Sequence, residues 1–368
     1  MAQGAVDALD ERVAGGCIVV PPGHLPPGFD ARSHGLEIHL GAHPVPDERS
    51  LAAGEAVARY VCSLPPQERL LFLVSGGTSS LLEWLRPGVT LAELQEFNRW
   101  ALRSGLPIDA VNALRGMLSR LKAGGLAQLA GPRRARALLI SDVPGDDPRV
   151  IGSGLLHAPR PGIAPASVTE LPPSLHGAFA RAARAGTSPD LSRRVSTRIV
   201  ASGRIARAAA AETAIALGLQ ARAANRPFTG DAAQLGTRFA RELARLPAGV
   251  VLVRNGESTV RLPPGPGRGG RNQHLALAAA IETERRAVVG ACLLAAGTDG
   301  IDGVSSDAGA VVDAGTCVRA RDGGFDPCVS LERADSGSLL EASGDLLHTG
   351  ATLTNVGDLV LAMNPGVD

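Results

Sequence analysis

The stretch Gly265–Gly303 carries the residues best suited to chemistry. A glycine-rich loop with Arg268 and Arg271 opens an Ala/Leu-rich segment, and an apolar strand, Ala291–Ala296, then runs into a loop with two carboxylates, Asp299 and Asp302. Bare backbone N–H groups, fixed guanidinium charge and paired acids suit the holding of phosphates and a divalent cation. Gly265–Gly270 has the form GxGxxG. However, Pro263 and Pro264 spoil a preceding strand, and Arg271-Asn272 stands where a Walker loop needs Lys-Ser/Thr. Neither motif holds, although Arg271 at a helix start would still clamp a phosphate.

Three other places could join such a site. Leu71–Val74 leads into Ser75-Gly76-Gly77-Thr78-Ser79-Ser80 and then a helical Leu81–Leu85, so a strand, a glycine turn and a helix start make an anion site or, equally, a capped βα turn. Ala137–Ser141 leads into Asp142, Asp146 and Asp147. Asp142, straight off the strand, is the better magnesium ligand, whereas Asp146 and Asp147 read as caps. Asn112, Arg115, Ser119 and Lys122 fall on one face at helical spacing, offering an amide, a hydroxyl and two cations, or simply a solvated face. Lys122 is the only lysine of the chain. His43, in a rigid turn before a helix, reads as structural.

The elements that must position these groups alternate. Gly16–Val20, Leu70–Val74, Ala135–Ser141, Arg198–Ser202, Val250–Arg254 and Ala291–Ala296 read as buried strands. Ser50–Ser63, Thr90–Ser104, Ala110–Leu129, Ile205–Leu217, Asp231–Leu246 and Asn272–Arg286 read as helices. The alternation predicts an α/β fold of two domains with largely parallel sheets, ligands gathering at the carboxyl ends of the strands. The Pro/Ala/Ser/Gly-rich stretch Pro159–Asp190 predicts an interdomain connection near its end.

Composition narrows the class. A length of 368 residues and 45% hydrophobic content allow two sizeable cores. The 37 basic and 36 acidic residues nearly cancel, which argues against nucleic-acid or membrane partners. Five cysteines without CxxC spacing predict neither a disulfide framework nor a zinc ribbon. With no signal-like start and no apolar run long enough to span a bilayer, the expected location is cytoplasmic.

Taken together the motifs resemble the class II glycerate 2-kinases, which end in the domain called MOFRL. The resemblance rests on HPVPD at His43–Asp47, SGGTSS at Ser75–Ser80, the face of Asn112, Arg115, Ser119 and Lys122, and SDVPGDD at Ser141–Asp147. It continues with NGESTV at Asn255–Val260, GRGGRNQ at Gly267–Gln273, GTDGIDG at Gly297–Gly303 and TGATLTNVGDLVLAM at Thr349–Met363. It implies a Rossmann-like N-terminal domain over residues 1–192 and a C-terminal α/β domain with the MOFRL region over 193–368, the active site lying in the cleft between them. It also implies a magnesium-dependent transferase that uses ATP to phosphorylate the 2-hydroxyl of D-glycerate, giving 2-phosphoglycerate. In that reading Arg271 and Lys122 are catalytic. Ser75, Gly76, Gly77, Thr78, Ser79, Gly269, Gly270 and Asn355 bind the nucleotide and its phosphates. Asn112 and Arg115 bind substrate, and Asp142 and Asp299 hold the metal. The expected partner is a small 2-hydroxy acid, and a homodimer stays open.

The chain departs from the family pattern at Thr78, Ala123, Leu155, His274, Ala351 and Leu353. It also opens just after the place of a GKAA-like motif whose lysine is thought catalytic. The expectation is therefore a reading frame that extends upstream. A catalytically weak relative that only binds ligand, and an NAD(P)-dependent hydroxypyruvate reductase, are the alternative functions.

Overall fold

A computed structural model of the chain describes residues 1–25, 28–160, 170–184 and 195–364. They form two compact units, Met1–Val200 and Ala201–Asp368. The boundary expected at 192/193, and most of the Pro159–Asp190 connection, lie outside the described residues. No helix among the described residues is long and apolar enough to cross a membrane.

In the first unit, β1 (Gly16–Val20) pairs in parallel with β2 (Leu36–Leu40). A second sheet runs in the order β3 (Arg69–Val74), β4 (Arg134–Ser141), β5 (Val195–Ser202), with β3 and β4 parallel. The apolar runs of β3 and β4 pack with Leu121, Leu126, Ile151 and Leu155 into one core. A second core gathers Leu94, Phe97, Leu114, Leu118, Leu175 and Phe179 from three helices, one of them Pro173–Arg184. The helix Glu48–Ser63 starts on Asp47, whose carboxylate accepts from the N–H groups of Arg49 and Ser50. These bonds satisfy donors that the first turn leaves open.

The helix expected over Ala110–Leu129 is broken. It runs Ile108–Leu118, stops at Ser119 in extended backbone and resumes as Gly125–Ala130. The break follows from pairing. Ser119 bridges Leu85, and Arg120 donates its N–H to Trp84 O at 2.7 Å while its guanidinium stacks 3.4 Å over the Trp84 ring. Tertiary contacts here outweigh the leucine periodicity that suggested a continuous helix.

The second unit is built on one seven-stranded sheet of β6 (Gln220–Ala223), β7 (Phe228–Asp231), β8 (Val250–Thr259), β9 (Cys292–Gly297), β10 (Gly309–Asp313), β11 (Leu346–Leu347) and β12 (Asp358–Asn364). Its main order is β11-β10-β9-β12-β8-β6, with β7 also on β8. Parallel pairing here is confined to β6 and β7 against β8, and the remaining pairs are antiparallel. The fold class is mixed α/β, as the alternation predicts. β10 follows β9 without an intervening helix, so these two strands pair antiparallel. The helix Arg271–Arg285 is buried over most of its length, with Leu275 and Leu277 fully enclosed against Leu293 and Phe239.

Candidate functional site

Each unit gathers part of the chemistry, and each is described by itself. In the first, β3 ends in the turn Ser75-Gly76-Gly77, and a single helical turn, Thr78–Leu81, follows. Thr78 Oγ1 donates to Ser75 O at 2.6 Å, and Ser75 through Ser79 are half-buried. A Cβ on Gly76 would overlap the Asp142 carboxylate, and one on Gly77 would lie 2.9 Å from His43 Cδ2. Both glycines are therefore required by close approach, and Gly77 also takes the left-handed φ of 77°. Asp142 comes off the end of β4, as expected of a metal ligand, and its carboxylate presses on the turn read as a phosphate loop. Burial lowers the pKa of His43, an effect to which His24 adds and which Asp142 opposes, so the imidazole is neutral at pH 7. The turn reading of His43 understates its place beside Gly77. Asp147 is engaged elsewhere: its carboxylate accepts from Arg149 N at 3.0 Å and pairs with Arg149 and Arg160.

Asn112, Arg115, Ser119 and Lys122 do come together, although not on one helix face. Arg115 donates to Asn112 Oδ1 at 3.1 Å, Ser153 Oγ at 2.9 Å and Asn98 Oδ1 at 3.2 Å. Among the described residues no carboxylate lies within ion-pair distance of this guanidinium. Burial lowers its pKa, with Glu83 acting in the opposite sense. Asn112 and Ser153 also line a surface pocket with Asp147, Arg149 and Arg160. A guanidinium held by neutral acceptors behind a pocket wall is suited to an anion such as a carboxylate.

Lys122, by contrast, is enclosed. Its Nζ donates to Leu82 O at 2.8 Å and lies 3.5 Å from Glu83 Oε2, and Ser119 Oγ donates to Glu83 Oε1. Burial lowers the pKa of Lys122, and Glu83 partly offsets that. The sequence reading missed Glu83, whose signal was a lone acid within the apolar run Leu81-Leu82-Glu83-Trp84-Leu85.

In the second unit, Arg271 stands at the first position of its helix. It donates to Glu257 Oε1 at 2.6 Å and to Asp358 Oδ1 at 3.0 Å, with Nε 2.8 Å from Asp358 Oδ2. Burial works against its charge, but Asp358 and Glu257 outweigh burial and raise its pKa. The helix start, which the sequence reading gives to phosphate together with Gly269 and Gly270, is capped by Asp302. Asp302 Oδ1 accepts from Asn272 N at 3.0 Å, and its Oδ2 accepts from Gln273 N at 2.8 Å. A Cβ on Gly270 would overlap Asp302, so this glycine makes room for an internal carboxylate. Burial, with a smaller push from Asp358, moves the Asp302 carboxyl up to about 6 against the pull of those two N–H groups.

Asp299 follows β9, and its Oδ1 accepts from Ile301 N at 3.1 Å. A Cβ on Gly297 would lie 2.9 Å from that oxygen and 3.7 Å from Asn272 Nδ2, and Asn272 Oδ1 is buried with no partner. Asp299 and Asp142 each offer a carboxylate just past the end of a strand, the donor type that a hard cation takes. Asn355 closes an Asx turn, its Oδ1 accepting from Gly357 N at 2.9 Å. Asp358 and Glu257 were missed by the sequence reading, and Asp358 at the head of an apolar strand was the available signal.

Comparison with known proteins follows this geometry. A family model described as a domain of unknown function, DUF4147, matches residues 1–168, and the MOFRL family model matches residues 250–358. The chain is 34% identical to a D-glycerate 2-kinase of Thermotoga maritima over 99% of this chain and 87% of that protein. It is 38% identical to a putative hydroxypyruvate reductase of Agrobacterium vitis over 94% of this chain and 91% of that protein. The crystal structure of a glycerate kinase from Thermotoga maritima superposes with a TM-score of 0.87 at 32% identity, covering 99% of this chain and 88% of that one.

Proposed function

The chain belongs to the MOFRL-type glycerate kinase family, and we propose that it transfers the γ-phosphoryl group of ATP to the 2-hydroxyl of D-glycerate, giving 2-phosphoglycerate and ADP. The observation that carries this reading is a likeness to a glycerate kinase in both sequence and fold along nearly the whole chain. The local geometry supports it. Arg115, held by three neutral acceptors, offers its guanidinium to the glycerate carboxylate, with Asn112 beside it. The Ser75–Ser79 turn offers backbone N–H groups to nucleotide phosphates. Arg271, oriented by Glu257 and Asp358, stabilises charge on the transferring group. Asn355 and the Gly269-Gly270 loop border the nucleotide. Lys122 acts through its field rather than by contact, because its ammonium is enclosed with Glu83. Asp142 and Asp299 are the residues that would hold Mg²⁺, which would neutralise phosphate charge when bound.

The test offers ATP, Mg²⁺ and D-glycerate to the purified chain, with products read by mass spectrometry and by direct conversion with enolase, which accepts the 2-phosphate without a mutase. Stoichiometric ADP and 2-phosphoglycerate are expected. Oxidation of NADH by hydroxypyruvate, with no ADP formed from glycerate, would overturn the reading in favour of the reductase activity that the Agrobacterium relatives' names carry. Nucleotide binding with neither turnover would leave a ligand-binding relative.

A further inference from the structure

The β1–β2 ribbon carries three metal-ligating side chains that the kinase reading does not use. In the parallel register Cys17 stands opposite Glu37 and Val19 opposite His39. Paired residues of parallel strands share a face, as do residues two apart on one strand, so Cys17, Glu37 and His39 project from the same side. Their donor atoms, a thiol sulfur, a carboxylate oxygen and an imidazole nitrogen, all lie within 4.8 Å of one another. We propose that these three side chains form a binding site for Zn²⁺ or a similar thiophilic divalent ion, with water completing a tetrahedron.

Two observations beyond proximity carry this. His39 Nε2 is buried and has no hydrogen-bond partner, although the Glu37 carboxylate is 3.3 Å away. A ring nitrogen left without a partner is a cost that a coordinate bond would remove. The 3.3 Å gap also matches the edge of a zinc tetrahedron, about 3.3–3.4 Å for bonds of about 2.0–2.1 Å. The ligand set is selective as well: sulfur and imidazole favour zinc over magnesium, which prefers an all-oxygen shell. The site is reachable, because the Glu37 side chain is 64% exposed. Burial, and then the charge of Glu37, push the Cys17 thiol up to about 11. A bound dication reverses that preference, so metal uptake should release the thiol proton.

An isolated two-stranded ribbon is marginal without packing, and an ion bridging both strands would pin its register. The site therefore concerns the stability of the first unit, and it stands whether or not the chain phosphorylates glycerate.

The test uses the full chain with the exposed Cys62 and Cys328 changed to serine, so that neither contributes a thiolate. Titration with Co²⁺ should give one equivalent with thiolate-to-cobalt charge transfer and the visible bands of a tetrahedral ion. Zn²⁺ should abolish both and raise the thermal midpoint, whereas Mg²⁺ should do neither. Cys17→Ser and His39→Ala should each remove the charge-transfer band or weaken binding by more than the roughly 10- to 100-fold that loss of an outer-shell partner costs. Glu37→Gln should weaken binding while keeping the band. Absence of the band, or a band undiminished in Cys17→Ser, overturns the proposal. If Cys17→Ser fails to fold, His39→Ala decides it, because unchanged zinc affinity in that variant also overturns the site.

Discussion

Lys122 and Glu83 form an ion pair 3.5 Å long with side chains 0% and 1% exposed. The only lysine of the chain is thus committed to a buried carboxylate, which separates two roles that sequence alone confounds. A buried pair contributes little net stability, but breaking it leaves an uncompensated charge.

Lys122→Met is therefore expected to destabilise the protein by roughly 3–5 kcal/mol, read by urea denaturation. Adding Glu83→Gln should recover most of that loss, because the glutamine keeps an acceptor for Ser119 Oγ and Trp84 N. Kinase turnover in the double variant then discriminates: stability recovered without turnover supports a catalytic part for Lys122, and recovery of both makes it structural.

Arg271→Lys keeps a charge near Asp358 but cannot span Glu257 and Asp358 together. Turnover with glycerate and ATP should fall by roughly 10³-fold if this arginine stabilises the transferring phosphoryl group. Arg271→Ala should in addition lower the thermal midpoint, since Asp358, 1% exposed, would lose its cation. Near-normal turnover in Arg271→Lys would remove the arginine from the active site.

Asp142→Asn should raise the Mg²⁺ concentration for half-maximal activity by at least the roughly 10- to 100-fold that loss of an outer-shell partner costs. Its effect on stability should be about 1 kcal/mol or less. Magnesium dependence matching that of the unmodified protein would count against Asp142 as a ligand.

Asp302 should leave a mark on stability against pH. Its folded carboxyl is moved above the ordinary 3.8 to about 6, so the folded state binds this proton more tightly than the unfolded state. The corresponding stability is present at low pH and is lost as pH rises from 3.8 through about 6. Asp302→Asn should flatten that segment of the profile, because the amide does not titrate. Urea midpoints across this range, compared between the two proteins, check the sign.

Much of the frame could be read directly. The apolar runs at β3, β4, β8 and β9 contrast sharply with their surroundings, and the helices at Glu48–Ser63 and Arg271–Arg285 begin within two residues of their expected starts. The short strands β6, β7 and β11 were not seen because two to four residues give no usable periodicity. The site was legible as a set of loops, but not as partnerships. Glycines at 76 and 270 look alike in sequence, yet one faces Asp142 and the other Asp302. Which carboxylate meets which turn depends on contacts across the fold, and no local pattern encodes them.

The place of β12 in its sheet has a consequence for how the second unit assembles. This strand, Asp358–Asn364, follows β8 and β9 in the chain but lies between them. Without it, β8 with β6 and β7, and β9 with β10 and β11, would each present an open hydrogen-bonding edge of the kind that recruits other chains. Its contacts close loops of about a hundred residues to β8 and about sixty to β9, so the sheet is completed by long-range pairing of the kind that slows folding.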